Sequence, residues 1–179
     1  MSSKSYHFFL LIHADLERFL NKKINYLQYG FVLHPRFVPV LFVRLARSFY
    51  IKSYLRPLSY IFVWLNVILF GIECSPKCEI GAGLLLPHTH GTVIGAFKLG
   101  DNVTIFQGVT LGAKVLDYGF EKKLRPIIGD RVVVGAGAKV LGPISIGNNV
   151  TIGANAVVLK SFKDNLVVTG VPAMIRVKR

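Results

Sequence analysis

The sequence is short of carboxylates. Nine Asp and Glu stand against 22 Lys and Arg, giving the 179-residue chain a formal net charge of +13. Charged residues are only 17% of the total and hydrophobic ones 52%. So apolar a composition implies surface buried in an oligomer or set against a membrane. The basic residues fall in both halves, and an even positive field suits anions such as coenzyme A, phosphosugars or lipid head groups. No nucleic-acid recognition motif accompanies it, which sets nucleic acid aside as a partner. Cysteine is scarce too. Cys74 and Cys78 have a spacing that would suit a metal, but two further ligands are missing, so two buried free thiols of a cytoplasmic protein are expected. No cleavable signal peptide is evident: Met1 to Ser5 is polar, and the run Tyr6 to His13 is short and lacks a cleavage site. The apolar run Tyr60 to Phe70 falls short of the roughly 18–20 residues of a membrane span and contains Asn66.

What the chain does have is a repeat. From Ile128 to Val158 it reads in sixes, opened by Ile128, Val134, Val140, Ile146, Ile152 and Val158. Glycine follows the opening residue in four of the five complete hexads. Hexapeptide self-similarity predicts a parallel β-helix. Each hexad supplies one flat side and a turn, and three sides, about eighteen residues, close a triangular coil. The opening Ile or Val points inward and stacks on its counterpart about 4.8 Å away in the next coil. Gly, Asn and Asp supply corner conformations that β-branched residues cannot adopt.

The hexads begin at Ile80-Gly81, blur from Leu86 to Gly95, and resume at Leu99, Ile105 and Leu111. They break over residues 113–126 and then run cleanly to Val158. The break has the size and composition of an excursion loop from one corner, and such loops are usually functional. Residues 1–72 lack the pattern and predict three helices. The first is Leu11 to Leu20. The second is Phe37 to Tyr50, with Arg44 and Arg47 on its polar face. The third is Leu58 to Gly71, opened by Pro57. This third helix is apolar nearly all round. It is expected to be buried between subunits, or to rest on an anionic membrane through Tyr60 and Trp64 with Lys52 and Arg56 beside them. The domain reading is a helical region, 1–72, a β-helix, 73–170, and a basic tail, 171–179.

His88 and His90 are the only histidines of the coil, and they stand where the repeat is interrupted. A near-neutral imidazole takes a proton from a hydroxyl nucleophile as an acyl group transfers. A carboxylate that fixes the tautomer assists it. At about eighteen residues per coil, Glu73, fifteen residues earlier, is expected near the same corner one layer below, within reach of His88. Surface or interface histidines would leave the same pattern, and a metal on His88 and His90 lacks a third ligand.

Several motifs, in order, resemble the serine O-acetyltransferase family of left-handed β-helix, hexapeptide-repeat acyltransferases. The chain is especially similar to the family's shorter relatives in surface-polysaccharide pathways. The motifs are His34-Pro-Arg-Phe with Arg44-Leu-Ala-Arg, then Gly71-Ile-Glu-Cys-Ser-Pro-Lys-Cys-Glu-Ile-Gly, then His88-Thr-His-Gly-Thr-Val-Ile-Gly95. Thr104-Ile-Phe-Gln-Gly-Val-Thr-Leu-Gly112 and Thr169-Gly-Val-Pro-Ala173 follow. The resemblance covers about residues 34–175. It implies a mostly β fold with a left-handed parallel β-helix behind a small helical region, and acetyl-CoA as cosubstrate with no metal. It implies a homotrimer or a dimer of trimers, with the coenzyme lying between neighbouring subunits.

Carried over residue by residue, the resemblance makes His88 the catalytic base and Glu73 its carboxylate partner, where the family has Asp. The family's second histidine, which meets the serine acceptor, falls on Arg125, a departure that also suits a sugar acid or phosphate. His90 is a further acceptor-side candidate. The pantetheine would run past Gly112, Gly135, Ala136 and Ala154. The coenzyme phosphates would meet Lys139, Lys160, Arg176 or Lys178, each of which would equally serve as a solvated surface group. The expected reaction is direct acetyl transfer to a serine or sugar hydroxyl, in a cytoplasmic enzyme with peripheral membrane contact as an option. Two other readings remain: a non-catalytic β-helix scaffold, and a metal-dependent hydratase on the same coil, which needs three converging histidines.

Overall fold

A computed structural model describes residues 7–176. The first third is helical: α1 (Phe8–Leu20), a 3₁₀ segment (Tyr26–Leu33), α2 (Val38–Ile51), a short 3₁₀ turn (Ser53–Leu55) and α3 (Arg56–Phe70). α1 begins ahead of the expected Leu11, so Asp15 lies mid-helix. α2 and α3 each carry a proline in the first turn, where a missing N–H costs no hydrogen bond. α3 stops at Gly71, whose left-handed backbone (φ +61°) lets its amide return to the Asn66 and Val67 carbonyls.

From Ile72 the chain winds into a three-sided coil. One side stacks β1 (Ile72–Cys74), β3 (Thr92–Ile94), β6 (Thr110–Gly112), β9 (Lys139–Leu141) and β12 (Val157–Val158). The second stacks β2 (Glu79–Ile80), β4 (Lys98–Leu99), β7 (Ile127–Ile128) and β10 (Ser145–Ile146). The third stacks β5 (Thr104–Ile105), β8 (Val133–Val134), β11 (Thr151–Ile152) and β13 (Val167–Thr169). The pairing is parallel until β14 (Met174–Arg176) folds back antiparallel on β13. Ile128, Val134, Val140, Ile146, Ile152 and Val158 are all buried, as the hexads require.

The eighteen-residue coil holds only in that regular stretch, where Ile128 pairs with Ile146, Val134 with Ile152 and Val140 with Val158. Glu73 instead pairs with Val93, twenty residues on. Leu111 pairs with Val140, twenty-nine on. The turn bearing His88 and His90 stretches the first coil, and the excursion loop stretches the second.

The glycines after the opening residues are needed for space rather than for a corner conformation. Asp101 accepts from the Ala82 amide at 2.9 Å, and Asp130 from the Asp101 amide at 2.8 Å. Asn148 accepts from the Asp130 amide at 2.8 Å, and Asp164 from the Asn148 amide at 2.9 Å. This ladder runs so close to the glycine column that a Cβ on Gly129 would stand 2.7 Å from the Gly147 carbonyl carbon. Left-handed backbone falls to other positions, among them Asn102, Asn149, Asn155 and Arg131.

Arginines fasten the helices to the first coils, which corrects the expectation of a solvent-facing Arg44 and Arg47. Arg44 is 3% exposed and grips Asp15 with Nε at 2.7 Å and a terminal nitrogen at 2.9 Å. It also donates to the Ile80 carbonyl at 2.8 Å and the Gly81 carbonyl at 2.6 Å, while Asp15 accepts from the Leu84 amide at 2.8 Å. Arg47 donates to the Pro76 carbonyl at 3.0 Å. Arg18 reaches the Asn102 carbonyl at 2.6 Å and Thr104 Oγ1 at 2.8 Å. The first coils expose carbonyls and amides with no rung beneath them, and these side chains satisfy them.

Candidate active site

The interruption of the repeat makes a turn that stands out from the coil. Leu84 and Leu86 anchor it inside, then Pro87 lifts the chain so that His88 and His90 are exposed. α3 supports the turn from behind. Thr89 Oγ1 donates to the Phe70 carbonyl at 2.9 Å, and the Gly91 amide to the Gly71 carbonyl at 2.9 Å. The Gly108 amide donates to the His90 carbonyl at 3.0 Å from the rung above. The result is a fixed backbone with two free imidazoles, since among the described residues neither ring has a hydrogen-bond or ionic partner.

His88 and His90 open onto a cleft of about 450 Å³ that also takes in Pro35, Arg36, Phe70 and Gln107. Its helical wall comes from the start of α2 and the end of α3. Arg36 is exposed, and only its backbone amide is hydrogen-bonded, to His34 Nδ1 at 3.2 Å. Its guanidinium therefore gives this cleft a cation free for an anionic ligand. The sequence carried Arg36 only inside the His34-Pro-Arg-Phe motif, and nothing in its spacing tied it or Gln107 to the histidines.

Glu73 opens onto a second cleft of similar size, walled by Tyr60, Gly95, Gly112, Asp117, Tyr118 and Arg125. Glu73 is exposed on β1 and has no partner among the described residues. The stretched first coil corrects the expected corner-over-corner placement. The residue one rung above Glu73 is Val93, and His88 lies five residues short of it, in the neighbouring cleft. No hydrogen bond joins Glu73 to His88.

Arg125 is held inside the excursion loop. Its Nε donates to Asp117 Oδ2 at 2.9 Å, and its terminal nitrogens to the Gly95 carbonyl at 2.7 Å and the Asp117 carbonyl at 3.1 Å. Its guanidinium carbon lies 3.9 Å from the centre of the Phe120 ring. The Glu121 amide, and after it Arg125, hold the Asp117 carboxyl below the usual carboxylate range. Arg125 thus latches the loop to β3 and offers the cleft no free guanidinium. Asp117 and Phe120, which complete the latch, carried no signal in sequence beyond lying in the break.

Gly112 ends β6 and Gly135 follows β8, on different sides of the coil, so one subunit does not bring them together. Gly135 and Ala154 are stacked: a Cβ on Gly135 would meet the Ala154 nitrogen at 2.7 Å. Ala136 accepts from the Asn155 amide at 2.8 Å on that same corner. Lys139 donates to the Gly108 carbonyl and is engaged there. Lys160 is exposed with its ammonium 5.7 Å from the Phe162 ring centre, and Arg176 donates to Thr169 Oγ1 at 2.9 Å. Lys178 lies outside the described residues. Cys74 and Cys78 are buried free thiols, and burial pushes the Cys74 thiol up to about 12. Among the described residues no three His, Cys, Asp or Glu gather as a metal site.

The fold and its repeat define a transferase-type hexapeptide β-helix. The family model for the bacterial transferase hexapeptide (six repeats) matches residues 125–160. Serine acetyltransferase of Mycobacterium tuberculosis (strain ATCC 25618 / H37Rv) is 50% identical over 109 residues, 60% of this chain and 46% of its own. That of Staphylococcus xylosus is 51% identical over 106 residues, 59% and 48% respectively. The chain spans about half the length of these relatives. The solved Neisseria gonorrhoeae serine acetyltransferase in complex with serine superposes with a TM-score of 0.79 at 30% identity, covering 93% of this chain and 68% of that one. A serine acetyltransferase in complex with CoA gives 0.75 at 27% identity, over 93% and 67%. The chain belongs to the serine acetyltransferase family, and its coil is the left-handed parallel β-helix of that family.

Proposed function

We propose that the chain is an acetyl-CoA-dependent O-acetyltransferase in which His88 is the general base. The observation that carries this reading is the free imidazole of His88 in an open cleft, on a rigid turn where the hexapeptide register fails. The acceptor hydroxyl gives its proton to His88 as its oxygen attacks the thioester carbonyl. The tetrahedral oxyanion then collapses, breaks the C–S bond, and releases a CoA thiolate that takes the proton back from His88. Glu73, its carboxylate partner by family resemblance, orients the imidazolium once the two side chains come together on substrate binding. No acyl-enzyme is required, consistent with cysteines that are buried and held as thiols.

The acceptor reading is a small anionic or anion-bearing alcohol. Serine is what the relatives' names give, and a sugar acid or phosphosugar of a surface polysaccharide fits the same chemistry. Arg36, rather than the latched Arg125, is the cation that receives it. A homotrimer completes the coenzyme site, because Gly112 and the Gly135–Ala154 corner occupy different sides of the coil and a neighbour would set one against the other. Val115, Leu116 and Tyr118 on the rim of the Glu73 cleft are exposed apolar groups that such a neighbour would cover.

The test is free-thiol release from acetyl-CoA with serine, sugars and nucleotide sugars in turn. His88→Ala should lower the rate with the active acceptor by roughly 10²–10⁴-fold while the oligomer stays folded. An unchanged rate would remove His88 from the reaction.

A further inference from the structure

α3 is built inside out. Beyond its first turn the only polar side chains other than Tyr60 are Ser59 and Asn66, and both are buried. Ser59 Oγ donates to the Ala46 carbonyl at 2.7 Å and Asn66 Nδ2 to the Pro39 carbonyl at 3.1 Å, so the polar groups face α2. Phe62 fills the same inner side, stacked on Phe49 and edge-on to Phe42. The opposite side carries Tyr60, Ile61, Trp64, Val67 and Ile68 at helical spacing. All five are exposed, Trp64 by 71% and Ile68 by 61%. Ile51 and Tyr54, just before the helix, are exposed as well. An ordinary surface helix has the reverse arrangement.

The charge around this face is mostly positive, the exposed carboxylate nearest to it being Glu73, in the cleft that Tyr60 rims. Asp15 and Glu17 are the only acids in residues 1–72. Asp15 is buried against Arg44, and Glu17 is taken up by His13 and the Ile24 amide. Lys52 and Arg56 are exposed at the amino end of α3, where the helix dipole already presents positive charge. Cations there oppose the dipole of α3, while at the end of α2 Lys52 is the C-cap and Arg56 donates to the Tyr50 carbonyl at 3.4 Å and lies 5.1 Å from the Tyr50 ring centre. A second copy of this face would bring like charges together. Ser53–Phe70 is long and apolar enough to cross a membrane, but the polar contacts of its inner side to α2, and those of Arg44 and Arg47 to the coil, hold it against the protein.

We propose that the outer face of α3 docks on an anionic lipid bilayer, Trp64 and its apolar neighbours entering the interface and Lys52 and Arg56 meeting the head groups. Docked this way, the helix lies flat in the interface. Its carboxyl end passes directly into the Gly71 corner beneath the histidine turn, and Tyr60 rims the Glu73 cleft. Both clefts are thereby held at the bilayer surface, within reach of an acceptor carried there.

The chain has one tryptophan, so Trp64 emission reports the docked state directly. The experiment mixes the full chain with phosphatidylcholine vesicles containing or lacking phosphatidylglycerol, and follows Trp64 emission and co-sedimentation. Vesicles with phosphatidylglycerol should shift the emission to the blue and carry the protein down, and high salt should reverse both. Removing two cations in Lys52→Gln/Arg56→Gln should weaken the partition by about thirtyfold. Ile68→Asp, which keeps the reporter and alters only an exposed position, should weaken it at least as much. Failure of the wild type to bind vesicles of either composition would overturn the proposal. So would binding indifferent to phosphatidylglycerol, or lipid-free burial of Trp64 that grows with protein concentration and marks a second copy as the occupant. Thiol release with a soluble acceptor is measured in parallel, so loss of docking and loss of acetyl transfer are separate results.

Discussion

Arg125 and Asp117 close the excursion loop on itself, through a charge-assisted pair of 2.8–2.9 Å stacked under Phe120. Arg125 also ties the loop to the Gly95 carbonyl, just after β3. The pair therefore sets the shape of the cleft wall without presenting charge to a ligand.

Asp117→Ala should open the loop to trypsin at Lys122 and Lys123 at least about tenfold faster, with little change in the global melting temperature. The Asp117 carboxyl is held below its ordinary value by the Glu121 amide and Arg125. A depressed folded-state pKa gives a contribution complete above the unfolded value of about 3.9 and lost as the pH falls through the folded value. The wild-type loop should therefore resist trypsin equally across about pH 5–8. Loosening on acidification inside that window would contradict the latch.

Arg36→Gln should raise KM for the anionic acceptor by roughly ten- to hundredfold and leave kcat nearly unchanged, because a cation that only holds the substrate contributes equally to ground and transition states. Arg125→Lys should instead disturb the loop. If Arg125→Lys alone raised the acceptor KM, the assignment of the anion to Arg36 would be wrong.

Arg44→Ala leaves Asp15 buried and opens the Ile80 and Gly81 carbonyls, so it should cost about 3–5 kcal/mol in denaturant unfolding. Glu73→Gln removes an exposed group, should leave stability unchanged, and should lower the acetyl-transfer rate by roughly 10²-fold. Together they separate a carboxylate that holds the helices to the coil from one that serves the reaction.

Gly129→Ala tests the corner ladder. Its methyl group would press on the Gly147 backbone, which cannot move without breaking the stacked Asp130–Asn148 bond, so a loss of about 1–3 kcal/mol is expected. A neutral result would return these glycines to a purely conformational role.

The sequence by itself determined the coil, its inward-facing Ile and Val column, the helical region before it, and the two places where the repeat fails. A six-residue period constrains every rung through its neighbour, so a local pattern carries global information. The same periodicity misplaced Glu73 by a few residues, because the turn bearing His88 lengthens that coil to twenty residues, while the next pairing on that side, Val93 with Thr110, spans seventeen. Whether a charged side chain is free or engaged was decided only in three dimensions. Arg125 and Arg44 look available in sequence, yet one is bound by Asp117 and the other by Asp15, partners eight and twenty-nine residues away. Arg36 looks unremarkable and is free beside His88. Long flexible cations take their partners from whatever the fold brings near, and no spacing rule encodes that. The outward apolar face of α3 has the same origin: the run was plain in sequence, but only packing against α2 decided that its polar residues turn in and Trp64 turns out.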